Sequence, residues 1–308
     1  MTHRLPSVLC TAVAAGALAL TGCGGPAPSS GSSQPSGAAV GVVASTDVYG
    51  SIASAVGGEH VKVTSLIHSP DADPHEYETT ASDAAAAGEA KVLIANGGGY
   101  DDFVGKLSQA TGGKATLVDV SELSGLRTGA GEFNEHVWYH LPTMAKLADR
   151  LAAELSKADP ADAAAYQANA AAFKAKLDGL SAQVNAIKSG HPGARVAVTE
   201  PVPLYLVEAA GMTNATPEEF SEAVEKGSDP PAAVLNQTLA LFNGPGKVGA
   251  LLANAQTESP ATKQVEQAAN QGGVPVVKMT ETLPAGTMDY VTWMGGQINA
   301  LAGAMDRR

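Results

Sequence analysis

Cysteine is nearly absent from this chain of 308 residues. The two present, Cys10 and Cys23, are too few for a disulfide scaffold or a zinc-finger cluster. Basic residues are scarce as well: 19 Lys and Arg stand against 31 Asp and Glu, a formal charge of −12. That balance argues against nucleic acid or an anionic lipid surface as the main partner. Charged residues make up only 16% of the chain and apolar ones 44%, which excludes a disordered acidic tail. Aromatics are few, at 5%, with Trp138 and Trp293 the only tryptophans. No H-E-x-x-H, no G-x-S-x-G and no P-loop occurs, so the common signatures of zinc proteases, serine hydrolases and nucleotide-binding enzymes are missing. What remains is long enough for one large or two medium α/β domains with real cores.

The first 23 residues start with a short cationic stretch containing Arg4. An apolar run from Val8 to Leu20 follows, shorter than a membrane span and of the length of a secretory core. The run ends in Leu20-Thr21-Gly22-Cys23, which resembles the bacterial lipobox, where the cysteine is lipidated. The alternative is an ordinary signal peptide with an incidental cysteine. Residues 24–39, GGPAPSSGSSQPSGAA, carry no charge and no bulky apolar group, so they cannot offset their ordering entropy. The expectation is a signal peptide over 1–23, an acyl anchor on Cys23 and a tether over 24–39. At about 5–6 Å × √n the tether has a root-mean-square reach of roughly 20–25 Å. The folded body then stands outside the cytoplasm, close to the outer face of the cell membrane.

Within the body, short β-rich runs alternate with helical stretches. Val40–Ala44, Val61–Ile67, Lys91–Ala95 and Ala115–Val120 read as strands, with helices over Val48–Val56, Thr80–Gly88 and Asp101–Ala110 between them. A second series has strands at Arg195–Thr199, Val248–Ala253 and Val274–Thr280. Its helices fall at Pro217–Lys226, Ala232–Phe242, Pro260–Gln271 and Met288–Met305. From Leu141 to Ser189 there is no strand signal. Asp159-Pro160-Ala161-Asp162 reads as a helix start, and Tyr166, Phe173, Leu177, Leu180, Val184 and Ile187 recur at three- to four-residue spacing until Gly190-His191-Pro192-Gly193 stops the pattern. The fold class expected is α/β. Two lobes, each a mostly parallel sheet with flanking helices, are joined by one long backbone helix, with boundaries at 40–158, 159–190 and 191–308.

Ligands of open parallel sheets sit at the carboxyl ends of the strands. Four polar candidates follow from that rule: His75 in Asp73-Pro74-His75-Glu76-Tyr77-Glu78, His136 at the end of the first lobe, Glu200 after Arg195–Thr199, and Glu281 after Val274–Thr280. Two imidazoles and two carboxylates, two from each lobe, would converge on the cleft.

The DPHEYE segment, NGGGYDDF from Asn96, HVWYHLP from His136, VTEPVPLYLVEAAGM and the closing ETLPAGTMDYVTWMGGQINAL together resemble the substrate-binding lipoproteins of manganese and zinc ABC importers, the TroA- and ZnuA-like periplasmic solute-binding proteins. The resemblance covers roughly residues 40 to 305. It implies two α/β lobes on one long helix, with four side chains holding one divalent transition metal, Mn²⁺ or Zn²⁺, as cargo. It further implies an ABC transporter permease as partner, a monomer and no enzymatic turnover. By position it assigns the metal to His75, His136, Glu200 and Glu281. Glu200 stands where zinc-type members commonly have His and manganese-type members Glu, and Glu281 where Asp is usual.

Two neutral imidazoles and two carboxylates leave a divalent cation nearly neutral, and carboxylate oxygens shift the balance toward the harder Mn²⁺. Binding displaces protons, so affinity is expected to fall below about pH 6, where His protonates. The segment Ser121–Phe133 has no histidine, unlike the His-rich loop of many zinc-type relatives, which again tilts toward manganese. Zinc nevertheless binds most such sites tightly, by the Irving–Williams order. His140 stands where the family more often has an acidic residue and is expected to support His136 rather than to bind; Glu76 is a candidate for orienting His75. Two other classes compete: a binding protein for a metal chelate or other organic ligand on the same helix-linked fold, which needs a wide, aromatic-lined cleft, and a metallohydrolase with an open water position.

Overall fold

A computed structural model describes residues 38–69, 77–127, 132–287 and 289–307. The expected signal peptide, Cys23, nearly all of the expected tether, His75 and Glu76 lie outside the described residues. The first half runs β1 (Val40–Thr46), α1 (Asp47–Gly57), β2 (Val61–Ile67), α2 (Ala81–Glu89), β3 (Val92–Ala95), α3 (Asp102–Ala110), β4 (Thr116–Asp119) and α4 (Val120–Ser124). Two helices follow, α5 (Leu141–Ala158) and α6 (Ala163–Gly190). The second half runs β5 (Arg195–Val198), α7 (Leu204–Ala209), β6 (Thr213–Asn214), α8 (Glu218–Glu225), α9 (Ala232–Ala240), β7 (Leu251–Asn254), α10 (Pro260–Gln271), β8 (Val276–Met279) and α11 (Tyr290–Met305).

Each half holds a sheet of four strands, in the orders β2-β1-β3-β4 and β6-β5-β7-β8. Every pairing is parallel: Val42 lies between Val63 and Val92, and Leu252 pairs with Val277. β3 and β7 read VLIA and LLAN and are buried throughout, as strands covered on both faces must be. In both sheets the chain leaves the first strand to one side and returns on the other, so the order reverses between β1 and β3 and again between β5 and β7. Those reversals open a crevice at the carboxyl ends of the strands.

The long helix is 28 residues, roughly 42 Å at 1.5 Å per residue. Its buried positions are Tyr166, Ala170, Phe173, Leu177, Leu180, Val184 and Ile187, alternating by four and three, a seam that packs on α5, α1 and α11. It starts later than the Asp-Pro signal suggests. Pro160–Asp162 forms a separate 3₁₀ turn, held because Asp159 accepts from the Tyr166 hydroxyl at 3.0 Å and Asp162 pairs with His60 at 2.8 Å. One continuous apolar core runs from Val42 and Ile94 through α5, α6 and α11 to Val196 and Leu252. The two-residue β6 carries no pattern that sequence could show. Among the described residues no helix is long and apolar enough to cross a membrane.

Candidate metal centre

Glu200 follows β5 by two residues, and Glu281 follows β8 by two. Asn254 ends β7 between them. Both glutamates are 2% exposed. The Asn254 amide joins them, donating from Nδ2 to Glu200 Oε2 at 2.6 Å and to Glu281 Oε1 at 2.7 Å. Thr257 donates its hydroxyl to Glu200 Oε1. The backbone N–H of Glu281 donates to Gln256 Oε1 at 2.6 Å, fixing where that residue leaves its strand. Burial pushes the Glu200 carboxyl up to about 7; the Thr257 and Asn254 hydrogen bonds oppose this, and Glu225 and Glu281 nearby add to it.

The first half contributes Tyr100 and His136. Residues Asn96–Asp101 form a tight turn in which Gly97, Gly98 and Gly99 all have positive φ, and the Asp101 carboxylate accepts from the N–H groups of Asn96 and Gly97 at 2.6 and 2.8 Å. The turn sends Tyr100 across to Glu281, where its hydroxyl donates to Oε2 at 3.0 Å. His136 is fully buried and precedes the 3₁₀ turn Val137–Tyr139. Its Nδ1 lies 2.7 Å from Asn134 Oδ1, an acceptor only, so Nδ1 carries the hydrogen and Nε2 is left as the donor atom for a metal. Asn134 in turn donates from Nδ2 to Pro201 O at 3.1 Å, beside Glu200, and accepts at its backbone O from the Tyr205 hydroxyl at 2.7 Å.

Nε2 of His136 faces Glu225, the last residue of α8, whose Oε1 is 3.2 Å away. Burial acts to lower the imidazole pKa, but the charges of Glu225, Glu281 and Glu135 win and hold it at about 9. The histidine is therefore imidazolium at neutral pH in the metal-free protein. This moves the expected threshold for proton competition from about pH 6 upward, because a solvated histidine has no such carboxylate neighbours.

Of the four sequence candidates, then, His136, Glu200 and Glu281 share one buried electrostatic neighbourhood, and His75 lies outside the described residues. His140 is elsewhere: its Nδ1 meets Thr143 Oγ1 at 2.7 Å and its ring packs on Tyr205, whose hydroxyl holds Asn134. Among the described residues no three His, Cys, Asp or Glu side chains converge closely enough to form a metal-holding group by themselves. They form two pairs, Glu200 with Glu281 and His136 with Glu225. Sequence reading missed Glu225 and Asn254. Glu218, Glu222 and Glu225 are spaced four and three apart, the pattern of a solvated acidic face, and only the docking of α8 singles out the third.

A cleft of about 1370 Å³ opens beside these residues, lined among others by Glu132, Glu135, Glu218, Glu222, Glu225 and Glu258, with Phe133 its sole aromatic among the described residues. It is wide and mostly acidic, a lining that raises the local concentration of cations.

A family model described as "Zinc-uptake complex component A periplasmic" matches residues 42–304. The manganese-binding lipoprotein MntA of Bacillus subtilis is 32% identical over 177 residues, covering 56% of this chain and 56% of that protein, so the match spans little more than half of this relative's length. The manganese-binding lipoprotein MntA of Halalkalibacterium halodurans is 28% identical over 244 residues, 72% of this chain and 78% of that protein. The solved structure of the periplasmic zinc binding protein TroA from Treponema pallidum superimposes with a TM-score of 0.72 at 21% identity, covering 87% of this chain and 99% of its own, a likeness of fold. Since the family model spans both sheets and the helix between them, the chain belongs to the family of the periplasmic component A of zinc-uptake complexes.

Proposed function

We propose that this protein captures one divalent transition metal, Mn²⁺ or Zn²⁺, between its two lobes and delivers it to the permease of an ABC importer. The observation that carries the reading is His136: a fully buried imidazole with Nδ1 committed to Asn134 and Nε2 turned toward the Glu225 carboxylate, in the neighbourhood of Glu281, which follows a strand of the second sheet. His136, Glu200 and Glu281 are the ligands on the described residues, and His75 is the fourth. The names of the relatives support the cargo class. The protein is a carrier with no turnover, monomeric, and held outside the cytoplasm by an acyl group on Cys23 after removal of residues 1–23. The tether occupies 24–39, the lobes 40–158 and 191–308, and the connector 159–190. His140 supports the site through Tyr205 and Asn134, and Glu76 orients His75.

Thermal unfolding of chelator-stripped protein tests this. One equivalent of Mn²⁺ or Zn²⁺ raises the midpoint, by about 4 kcal/mol of stability at a thousandfold excess over the dissociation constant. His136→Ala and Glu200→Ala abolish the shift. No shift with either ion in the unaltered protein overturns the reading and favours an organic ligand in the cleft.

A further inference from the structure

We propose that Glu225 is itself a metal ligand, a carboxylate donor from α8 additional to His136, Glu200 and Glu281, and that it biases the site toward Mn²⁺ over Zn²⁺. The inference rests on the reading of the cleft as a metal seat. Its basis is the pairing of two donor atoms. His136 Nε2 is buried and faces the Glu225 carboxylate, with Oε1 3.2 Å away. Two donors that share one cation at ~2.1–2.2 Å from each lie 3.2 Å apart when they subtend about 95° at the metal, near the 90° edge of an octahedron.

Placement supports the same role. Glu225 lines the cleft with a side chain that is 13% exposed while both of its carboxylate oxygens are buried beside His136, whereas His136, Glu200 and Glu281 do not line it. Of these four residues Glu225 is thus the one that borders the cleft, with its carboxylate turned inward to the buried trio. The end of α8 is held in position from both sides. Phe220 and Val224 anchor it in the core of the second half, and Lys226 reaches Glu132 of the first half at 2.7 Å. The neighbouring cation is thus paired with Glu132 on the wall of the cleft. A third carboxylate makes the donor set richer in oxygen, which suits a hard six-coordinate ion more than a tetrahedral one.

The test compares the unaltered protein with Glu225→Gln, which keeps shape and polarity, and Glu225→Asp, which keeps the charge on a shorter arm. Mn²⁺ and Zn²⁺ affinities are measured by chelator competition, and the visible absorption of bound Co²⁺ reports coordination number. In Glu225→Gln, Mn²⁺ affinity drops on the order of tenfold or more, Zn²⁺ affinity drops less, and the Co²⁺ bands intensify toward a four-coordinate spectrum. Glu225→Asp recovers part of the Mn²⁺ affinity. If Glu225→Gln fails to fold, a lowered Mn²⁺-to-Zn²⁺ ratio in Glu225→Asp with altered Co²⁺ bands serves as the supporting result, and an unaltered ratio and spectrum overturn the proposal. Unchanged affinities in Glu225→Gln overturn it while leaving the carrier reading intact. So does an equal loss for both ions with an unchanged Co²⁺ spectrum, which marks a positioning residue. An unaltered protein that binds neither ion overturns the carrier reading itself.

Discussion

Glu200 and His136 are both buried beside carboxylates, and both hold protons more tightly than they would in solution. Burial raises Glu200 from its ordinary 4.5 to about 7, and the glutamates around His136 overcome its burial to raise it from 6.5 to about 9. A divalent cation must displace those protons. Calorimetry in buffers of different ionisation enthalpy is expected to show protons released as metal binds, more at pH 6 than at pH 9, because both groups hold protons above their ordinary ranges. Release near zero across that range would mean that the metal seats elsewhere. The same shifts act on the metal-free protein with a defined sign. In both cases the folded state binds protons that the unfolded chain does not. The stabilisation from Glu200 is therefore complete below about pH 4.5 and lost as pH rises through about 7; that from His136 is complete below 6.5 and lost through about 9. Rising pH thus weakens the empty protein and strengthens metal binding together.

Asn254 belongs to the same scale. Its single amide nitrogen serves two buried carboxylates, so Asn254→Ala leaves each short of a donor. The expected cost to the metal-free protein is about 1–3 kcal/mol, seen as a midpoint lower by several degrees. Metal narrows the gap, because it supplies positive charge where the amide was. An unchanged midpoint would show that the amide does not hold the pair. Glu200 and Glu281 were legible in the sequence because each comes directly after a strand-like run, where parallel sheets present their ligands. Asn254 stands at an equivalent strand end yet carries no charge to attract notice. The role of His136 became legible only through the segment it shares with a family, since a lone histidine says nothing about which nitrogen faces what.

The turn between β3 and α3 shows how one element delivers a side chain to the other lobe. Gly97 has φ +72°, and a Cβ there would press into the Asp119 carboxylate, so the position is closed to other residues on two counts. Gly97→Ala is expected to cost about 1–3 kcal/mol and to shift Tyr100 away from Glu281. The check is the thermal midpoint together with metal affinity, both of which should fall; affinity unchanged at a lowered midpoint would separate the turn from the site. Most elements were legible from periodicity and punctuation. The strand Val61–Ile67 and the helix Pro260–Gln271 have the bounds that sequence suggests; the helix opens on Ser259-Pro260, with Ser259 capping Thr262 N at 3.2 Å. The start of α6 was displaced because two long-range partners, Tyr166 and His60, tighten the Asp159–Asp162 turn, and local pattern cannot see such partners.

Across the whole molecule, four of the seven tyrosines carry hydrogen bonds between the two halves of the chain. Tyr100 donates to Glu281, Tyr139 to Thr280 O at 2.8 Å, Tyr205 to Asn134 O at 2.7 Å, and Tyr290 to Trp138 O at 2.7 Å. With the α6 seam and the shared core, these bonds oppose a wide hinge. The double variant Tyr139→Phe, Tyr205→Phe is expected to lose about 0.5–1.5 kcal/mol per bond and to speed amide exchange around residues 134–140 and 280–283. Exchange unchanged in both segments would remove these bonds from the account of rigidity. The two-lobed α/β architecture was legible because it repeats strand–helix alternation on both sides of a strandless stretch. The bonds between the lobes were not, because a tyrosine hydroxyl leaves no periodic trace.

The most direct test of the central claim, a metal seated between the sheets, is an anomalous difference map from crystals grown with Mn²⁺ and recorded on both sides of the manganese absorption edge. One strong peak is expected within about 2.0–2.4 Å of His136 Nε2 and of carboxylate oxygens from Glu200 and Glu281. A peak elsewhere, or none beside a fully ordered His136, would contradict it.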